Sequence, residues 1–383
     1  MFKLVRSRTA RSLTYLSLLL RGASTSTGAN GLCNKLPMNV LVLHSDANDS
    51  SNRRLYDAFD KVNVLGTVDS EDHHLLSSDG AGGADESGEE HTPHCIFACW
   101  TNAKILSLTI KKYPKCKWIH CRSAGIDHVV CEDLKKWESN GGIVTNSKGI
   151  FNKSLTEWVI FSCIYFSRNV PRLLRNQSNK NWDRYEIDEL TSKTMGVVGF
   201  GSIGRQSGVL AKQMGMKVIG YKSKVGKLDN VDDHGNAVAD KIYTPAEANA
   251  LRSVMEKSDF ILLALPATPG TDNLINKETL KYCKKDAVII NVGRGNCVDE
   301  GDLINALKNG DIKGASLDVF KTEPLDEKSE LWSMGDKVLL SPHNMDMTKH
   351  FMKDATDFFC DRMVEEWVND DVKSNKVSVN DGY

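Results

Sequence analysis

Gly199-Phe200-Gly201-Ser202-Ile203-Gly204 is a GxGxxG run that leaves the apolar stretch TMGVVGFG and opens the helix-like stretch SIGRQSGVLAKQMG. Each glycine has its own physical use in that context. The first permits a tight turn, the second lets the backbone approach a pyrophosphate, and the third lets helix and strand pack closely. The helix N-terminus then points unpaired N–H groups at the phosphates. The expectation is a dinucleotide held by Gly199, Gly201, Ser202, Ile203 and Gly204; the bland alternative is a structural strand-to-helix turn. The next strand, MKVIGY, ends at Tyr221 and is followed by Lys222, Ser223 and Lys224. A carboxylate there ordinarily accepts from both ribose hydroxyls of NAD. Two ammonium groups and a hydroxyl instead supply charge-assisted donors for a 2′-phosphate. The reading is NADP preferred and NAD possible, against an alternative in which the lysines decorate a loop.

Three later segments place reactive side chains just past apolar runs. INVGRG carries Arg294 between two glycines, LDVFKTEP carries Asp318 and Glu323, and LLSPHN carries His343. In an open α/β sheet, ligands sit outside the carboxyl ends of the strands, so all three segments can meet in one crevice. Singly these residues are unremarkable. Behind a dinucleotide fingerprint they describe a hydride-transfer site.

The elements that must position them follow from hydrophobic patterning. MKVIGY, DFILLALP, DAVIINVG, IKGASLDVF and KVLLSPH are short apolar runs with helical segments between most of them. That alternation predicts a parallel sheet covered on both faces. MNVLVLH, CIFACW and KWIHCRSAGIDHV repeat it more loosely upstream. The stretch after Ser154 predicts a long helix, with Ser154 and Glu157 at capping-box spacing. Its apolar residues surround the axis, which implies burial between domains or subunits. Pro171 ends or kinks it.

At 383 residues the chain holds two domains of ordinary size. A formal charge of −1 gives no case for nucleic acid or an acidic membrane as partner. The ten cysteines form no CxxC pair, so buried free thiols are expected and no metal site. Residues 1–37 carry Lys3, Arg6, Arg8, Arg11 and Arg21, with no acid before Asp46. That is the composition of a mitochondrial transit segment. A secretory signal and an untargeted tail on a cytoplasmic protein are the alternatives. Residues 69–93 are Gly-, Ser- and acid-rich and read as a solvated insertion, although His73, His74, His91 and His94 lie in or beside them.

From Met38 onward the chain resembles the D-isomer-specific 2-hydroxyacid dehydrogenase family, which includes glyoxylate and hydroxypyruvate reductases. The motifs SAGIDH, GFGSIGR, LPATPGT, INVGRG, LDVFKTEPL and LLSPH carry the resemblance in order. It implies two parallel-sheet α/β domains, flavodoxin-like and dinucleotide-binding, with a cleft between them. Residues 38–147 and 346–383 would form the catalytic domain, completed by a C-terminal helix within Met347–Val368, and 148–345 the dinucleotide domain. It also implies a homodimer built on the helix after Ser154.

The same resemblance implies roles. Arg294 would bind the substrate carboxylate and polarise the 2-oxo group, His343 would be the acid/base, and Glu323 its partner. The amides of Ser123, Ala124, Gly125 and Ile126 would cradle the carboxylate, and Asp318 would contact the nicotinamide amide. Leu265, Pro266, Thr271, Val292 and Gly293 would line the cofactor. The substrate would be a small 2-oxo or 2-hydroxy acid. The chemistry agrees, since arginine offers a planar fork to a carboxylate. A cation and a proton donor beside the carbonyl oxygen stabilise charge that builds only as hydride arrives. Two rival functions share the fold: a dinucleotide-sensing corepressor and a formate or phosphite dehydrogenase.

Overall fold

The computed structural model describes residues 37–43, 55, 57, 58, 62–68, 92–99, 101–226, 229–369 and 372–380. The transit-like segment lies outside the described residues apart from Pro37, and the acidic insertion apart from Thr92 and Pro93.

Two all-parallel sheets form. The first contains β1 (Met38–Leu43), β2 (Val62–Val68), β3 (Cys95–Ala98), β4 (Trp118–Cys121) and β5 (Ile143–Asn146), in the order β2-β1-β3-β4-β5. The second contains β6 (Thr194–Val198), β7 (Lys217–Tyr221), β8 (Lys241–Tyr243), β9 (Phe260–Leu263), β10 (Val288–Asn291), β11 (Gly314–Leu317) and β12 (Val338–Leu340), in the order β12-β11-β10-β9-β6-β7-β8. β3, β4, β9, β10 and β11 are buried at every residue. Helices on both faces require that, and it is why these strands read as continuous apolar runs. Strand order reverses between β1 and β3 and between β6 and β9, where a ligand crevice opens at the carboxyl ends.

The C-terminal segment returns to the first sheet. The helix Phe351–Phe358 passes through a π turn at Phe359–Met363 into the helix Val364–Val368. Phe359, Cys360, Met363 and Val364 share a core with Met38, Val40 and Trp118, while Val377 and Val379 join Ile119 and Val144. Thr145 and Lys376 form an antiparallel bridge.

The helix Asn152–Ser167 corrects one expectation. It begins two residues before Ser154, so no capping box forms. The Ser154 hydroxyl donates instead to the Met345 carbonyl, tying the helix to the loop after β12. Leu155, Val159, Cys163 and Phe166 pack on Met195, Val197, Leu262 and Ile290 of the second sheet. Trp158 and Tyr165 are partly buried against the same core, and Phe161, 5.5 and 5.9 Å from them between ring centroids, is exposed. The helix ends before Asn169, which is left-handed at φ 49°, and Pro171 sits in the first turn of the next helix, Val170–Ser178. The nine described cysteines are thiols rather than disulfides.

Candidate active site

The glycine turn is built by close contacts. Gly199 has φ 98°, and a Cβ there would lie 2.5 Å from the Ala264 carbonyl oxygen; one at Gly204 would lie 2.4 Å from the Gly199 oxygen. Both positions need glycine for packing inside the chain. Among the described residues, a Cβ at Gly201 would meet no atom within 4 Å beyond its own chain neighbours. Packing does not require glycine there, whereas close approach of a pyrophosphate does. Gly201 also caps the helix Ser202–Gln213, which directs the amides of Ser202 and Ile203 into the turn. The residues present therefore fit a dinucleotide.

The lining segments close around this turn. A Cβ at Gly293 would lie 2.6 Å from the backbone of Leu265, which brings the loops after β9 and β10 together. Thr271 donates its hydroxyl to the Pro266 carbonyl at 2.7 Å and locks the LPATPGT loop. Val292 is buried with its side chain in the core, so only its backbone can face a ligand. The amides of Gly199 and Phe200 both donate to the Tyr221 carbonyl, at 3.0 and 3.3 Å, which sets the end of β7 beside the turn.

Strand alternation does not continue past Tyr221. The chain bends at Ser223 and Lys224, both exposed, whereas Lys222 is half-buried and pairs with Asp229 at 2.7 Å. Lys222 and Lys224 therefore occupy different environments.

Arg294 crosses from the second half of the molecule to the first. Its Nε and Nη2 donate to one oxygen of Asp127 at 3.1 and 2.9 Å, and its Nη1 donates to the Gly293 carbonyl at 2.9 Å. An added Cβ on Gly125 would lie 1.6 Å from Nη2, so the guanidinium rests directly against that glycine. Asn291 holds the turn from below, donating to the Arg294 carbonyl and accepting from the Gly293 amide. Burial raises the Asp127 pKa, but the charge and hydrogen bond of Arg294, with smaller contributions from the Asp127 amide and His128, together outweigh it and hold the carboxyl below its ordinary value.

The loop under that guanidinium is polarised. The Ser123 carbonyl accepts from the Ser147 amide, Ala124 from Asn146 Nδ2, Gly125 from the Ser123 hydroxyl, and Ile126 from the Val129 amide. Among the described residues, none accepts from the amides of Ala124, Gly125 or Ile126. Donors beside a guanidinium make an anion site.

His343 and Glu323 meet as the sequence implied, with Nδ1 and Oε2 at 2.7 Å. The other Glu323 oxygen accepts from the Phe320 amide at 2.9 Å. His343 stands at φ 53°, a conformation non-glycine residues adopt rarely and that concentrates at functional sites. Asp318 is buried beneath this loop, where it accepts from the Ser341 hydroxyl at 2.6 Å and the Asn344 amide at 3.2 Å. Burial raises its pKa. Asp346, half-buried, is also raised by burial, and it lies within electrostatic reach of His343, Asp318 and Arg294 together. Asp127, Asn291, Asp229 and Asp346 escaped the sequence reading. For Asp127 the signal was present, an acid directly after the nominated SAGI loop. Among the described residues no group of three or more His, Cys, Asp or Glu could hold a metal ion.

The family model described as "D-isomer specific 2-hydroxyacid dehydrogenase, NAD binding domain" matches residues 160–344. A glyoxylate reductase of Thermofilum pendens is 32% identical over 251 residues, covering 64% of this chain and 70% of its own length. The chain belongs to the D-isomer specific 2-hydroxyacid dehydrogenase family. The family resemblance extends to a D-3-phosphoglycerate dehydrogenase of Methanocaldococcus jannaschii, 32% identical over 262 residues and 68% of this chain. The chain spans 47% of that relative's length. A D-isomer specific 2-hydroxyacid dehydrogenase family protein from Aeromonas salmonicida superimposes with a TM-score of 0.69 at 26% identity, covering 90% of this chain and 99% of its own.

Proposed function

We propose that this family member reduces a small 2-oxo acid of the glyoxylate or hydroxypyruvate type to the D-2-hydroxy acid, using NADPH in preference to NADH. The observation that carries the reading is Arg294 resting against Gly125, beside amides that have no acceptor among the described residues. That juxtaposition suits a carboxylate with an oxygen next to it. The amides of Ala124, Gly125 and Ile126 hold the carboxylate, and Arg294 draws electron density toward the 2-oxo oxygen. Glu323 engages His343 Nδ1, which leaves Nε2 to deliver a proton to that oxygen. A bound nicotinamide dinucleotide supplies the hydride.

Asp346 supports the choice of substrate. Asp346, a carboxyl group within electrostatic reach of Arg294 and His343, supplies no cation for a second anionic group on the substrate, so glyoxylate and hydroxypyruvate suit the site better than a phosphate-bearing acid. Lys222 at the end of β7 supports the cofactor preference. We also propose a homodimer and mitochondrial import. Phe161 on the helix Asn152–Ser167 and Leu173, Leu174, Trp182 and Ile187 beyond it are exposed and supply apolar surface for a second copy. Sedimentation tests the dimer.

The deciding experiment measures NADPH and NADH oxidation with glyoxylate, hydroxypyruvate, pyruvate and 3-phosphohydroxypyruvate. The highest kcat/KM is expected for glyoxylate or hydroxypyruvate with NADPH. Binding of dinucleotide without turnover of any 2-oxo acid would overturn the activity. A higher kcat/KM for the phosphorylated acid would overturn the substrate class.

A further inference from the structure

The chain leaving β7 closes on itself through two charges. Lys222 Nζ lies 2.7 Å from Asp229 Oδ1. Asp229 Oδ2 accepts from the Gly226 amide at 2.5 Å, and the Asp229 amide donates back to the Gly226 carbonyl at 3.2 Å. The backbone on both sides is anchored. The Lys222 amide donates to the Tyr243 carbonyl at 3.0 Å, and Arg205, on the helix that opens at the glycine turn, donates to the Val231 carbonyl at 2.7 Å. Lys222 and Asp229 side chains are 26% and 29% exposed. Burial raises the Asp229 carboxyl, but Lys222 and the Gly226 amide outweigh it, with a smaller contribution from Lys148, and hold it ionised.

An exposed ion pair of this kind contributes little to stability. This one is partly buried, carries a second hydrogen bond, and sits where β7 ends beside the glycine turn. The end of β7 itself offers no acid. The loop returns one to the same ammonium seven residues later.

We propose that Lys222 and Asp229 together read the 2′ position of the adenosine ribose, with Asp229 as a specificity-determining residue that limits the preference for a 2′-phosphate. Toward NAD, the Asp229 carboxylate supplies the hydroxyl acceptor that β7 lacks. Toward NADP, its charge opposes the phosphate and competes with it for Lys222. This rests on the cofactor site proposed above and deepens it, because it makes both dinucleotides usable and the preference modest.

The test uses the whole protein without a 2-oxo acid, so it does not depend on turnover. Affinities for NADPH and NADH are read from nucleotide fluorescence, and 2′-phosphoadenosine 5′-phosphate and 5′-AMP are used as competitors to isolate the adenosine end. Asp229→Asn removes the charge and keeps the shape. It is expected to raise the NADPH-to-NADH affinity ratio about tenfold, equivalent to about 1.4 kcal/mol, and to tighten the phosphorylated competitor alone. Lys222→Met is expected to lower the ratio by a similar factor. Asp229→Ser serves as the second variant should the Asn form melt early. If Lys222→Met lowers the ratio and neither Asp229 variant moves it, Asp229 merely closes the loop and the inference is overturned while the cofactor site stands. If no variant moves the ratio, the pair lies away from the ribose, and both readings fall.

Discussion

Arg294 and Asp127 lie 167 positions apart in sequence, yet two N–H groups of the guanidinium converge on one carboxylate oxygen at 3.1 and 2.9 Å. The contact spans the two halves of the molecule. Asp127 occupies the Nε–Nη2 edge of the fork and the Gly293 carbonyl takes one N–H of Nη1, so one N–H at each of Nη1 and Nη2 remains for a substrate. Asp127 thus acts as a positioning residue for Arg294.

Asp127→Ala is expected to lower kcat/KM for the 2-oxo acid about tenfold, mostly through KM, with partial recovery in Asp127→Asn. NADPH affinity should not change. A kcat/KM above wild type would mean that Asp127 competes with the substrate instead of orienting its partner. Gly125→Ala places a methyl group 1.6 Å from the present position of Nη2. The guanidinium must move, and a displacement of about 1 Å costs on the order of 10²-fold in rate. Steady-state kinetics beside a dinucleotide titration separates this loss from a folding defect.

His343→Ala should lower kcat by on the order of 10²-fold or more, the scale for losing a positioned general acid. Glu323→Gln should cost less, because the amide oxygen can still accept from Nδ1 and hold the orientation of the ring. Dinucleotide binding should survive in both. Turnover like wild type in His343→Ala would remove the acid/base role from this residue.

Stability should fall with acid through His120. The ring packs beside Phe97 and Phe359, with centroids at 5.7 and 5.0 Å, and its nitrogens face the hydroxyls of Thr145 and Ser147 at 2.8 and 3.2 Å. Burial lowers its pKa to about 3. The unfolded chain, with an ordinary value of about 6.5, therefore binds the extra proton first as pH drops. The contribution is complete above about pH 6.5 and is lost toward pH 3, at up to about 1.4 kcal/mol per pH unit. Urea midpoints at several pH values should show a shallower acid slope in His120→Gln than in wild type. Parallel slopes would mean that the ring does not stay neutral in the fold.

Residues 1–37 fused to a fluorescent reporter should direct it to mitochondria, given five Lys or Arg side chains in the first 21 positions and no acid before Asp46. A chain starting at Pro37 should keep its dinucleotide affinity. A reporter spread through the cytosol would count against import.

Much of the site was legible because its signals are local. A GxGxxG between an apolar run and a helix can be read in a dozen residues, since each glycine answers a steric demand made by its neighbours. The same holds for β6, β9, β10 and β11, whose near-continuous apolar runs reflect burial on both faces. His343 and Glu323 were nominated as a pair because a family resemblance linked their motifs. β2, β5 and β8 passed unnoticed. Their sequences VNVLGTV, IVTN and KIY mix polar residues or glycine into few apolar ones, which leaves no continuous run to read.

The sequence by itself determined the parallel α/β architecture, the glycine turn, and which strand ends carry an arginine, a carboxylate and a histidine. Only the tertiary structure decided their partners. Ser154 looked like a cap and instead reaches Met345, 191 positions away. Lys222 looked like a free cation and instead meets Asp229. Arg294 looked like an open fork and has one edge engaged by Asp127. Local preferences of a few tenths to one kcal/mol choose helix or strand, whereas charge-assisted contacts depend on distances that no spacing along the chain encodes. Those distances arise only once the chain has folded, with Arg294 meeting Asp127 from the part that carries the other sheet and Lys222 meeting Asp229 across the loop after β7.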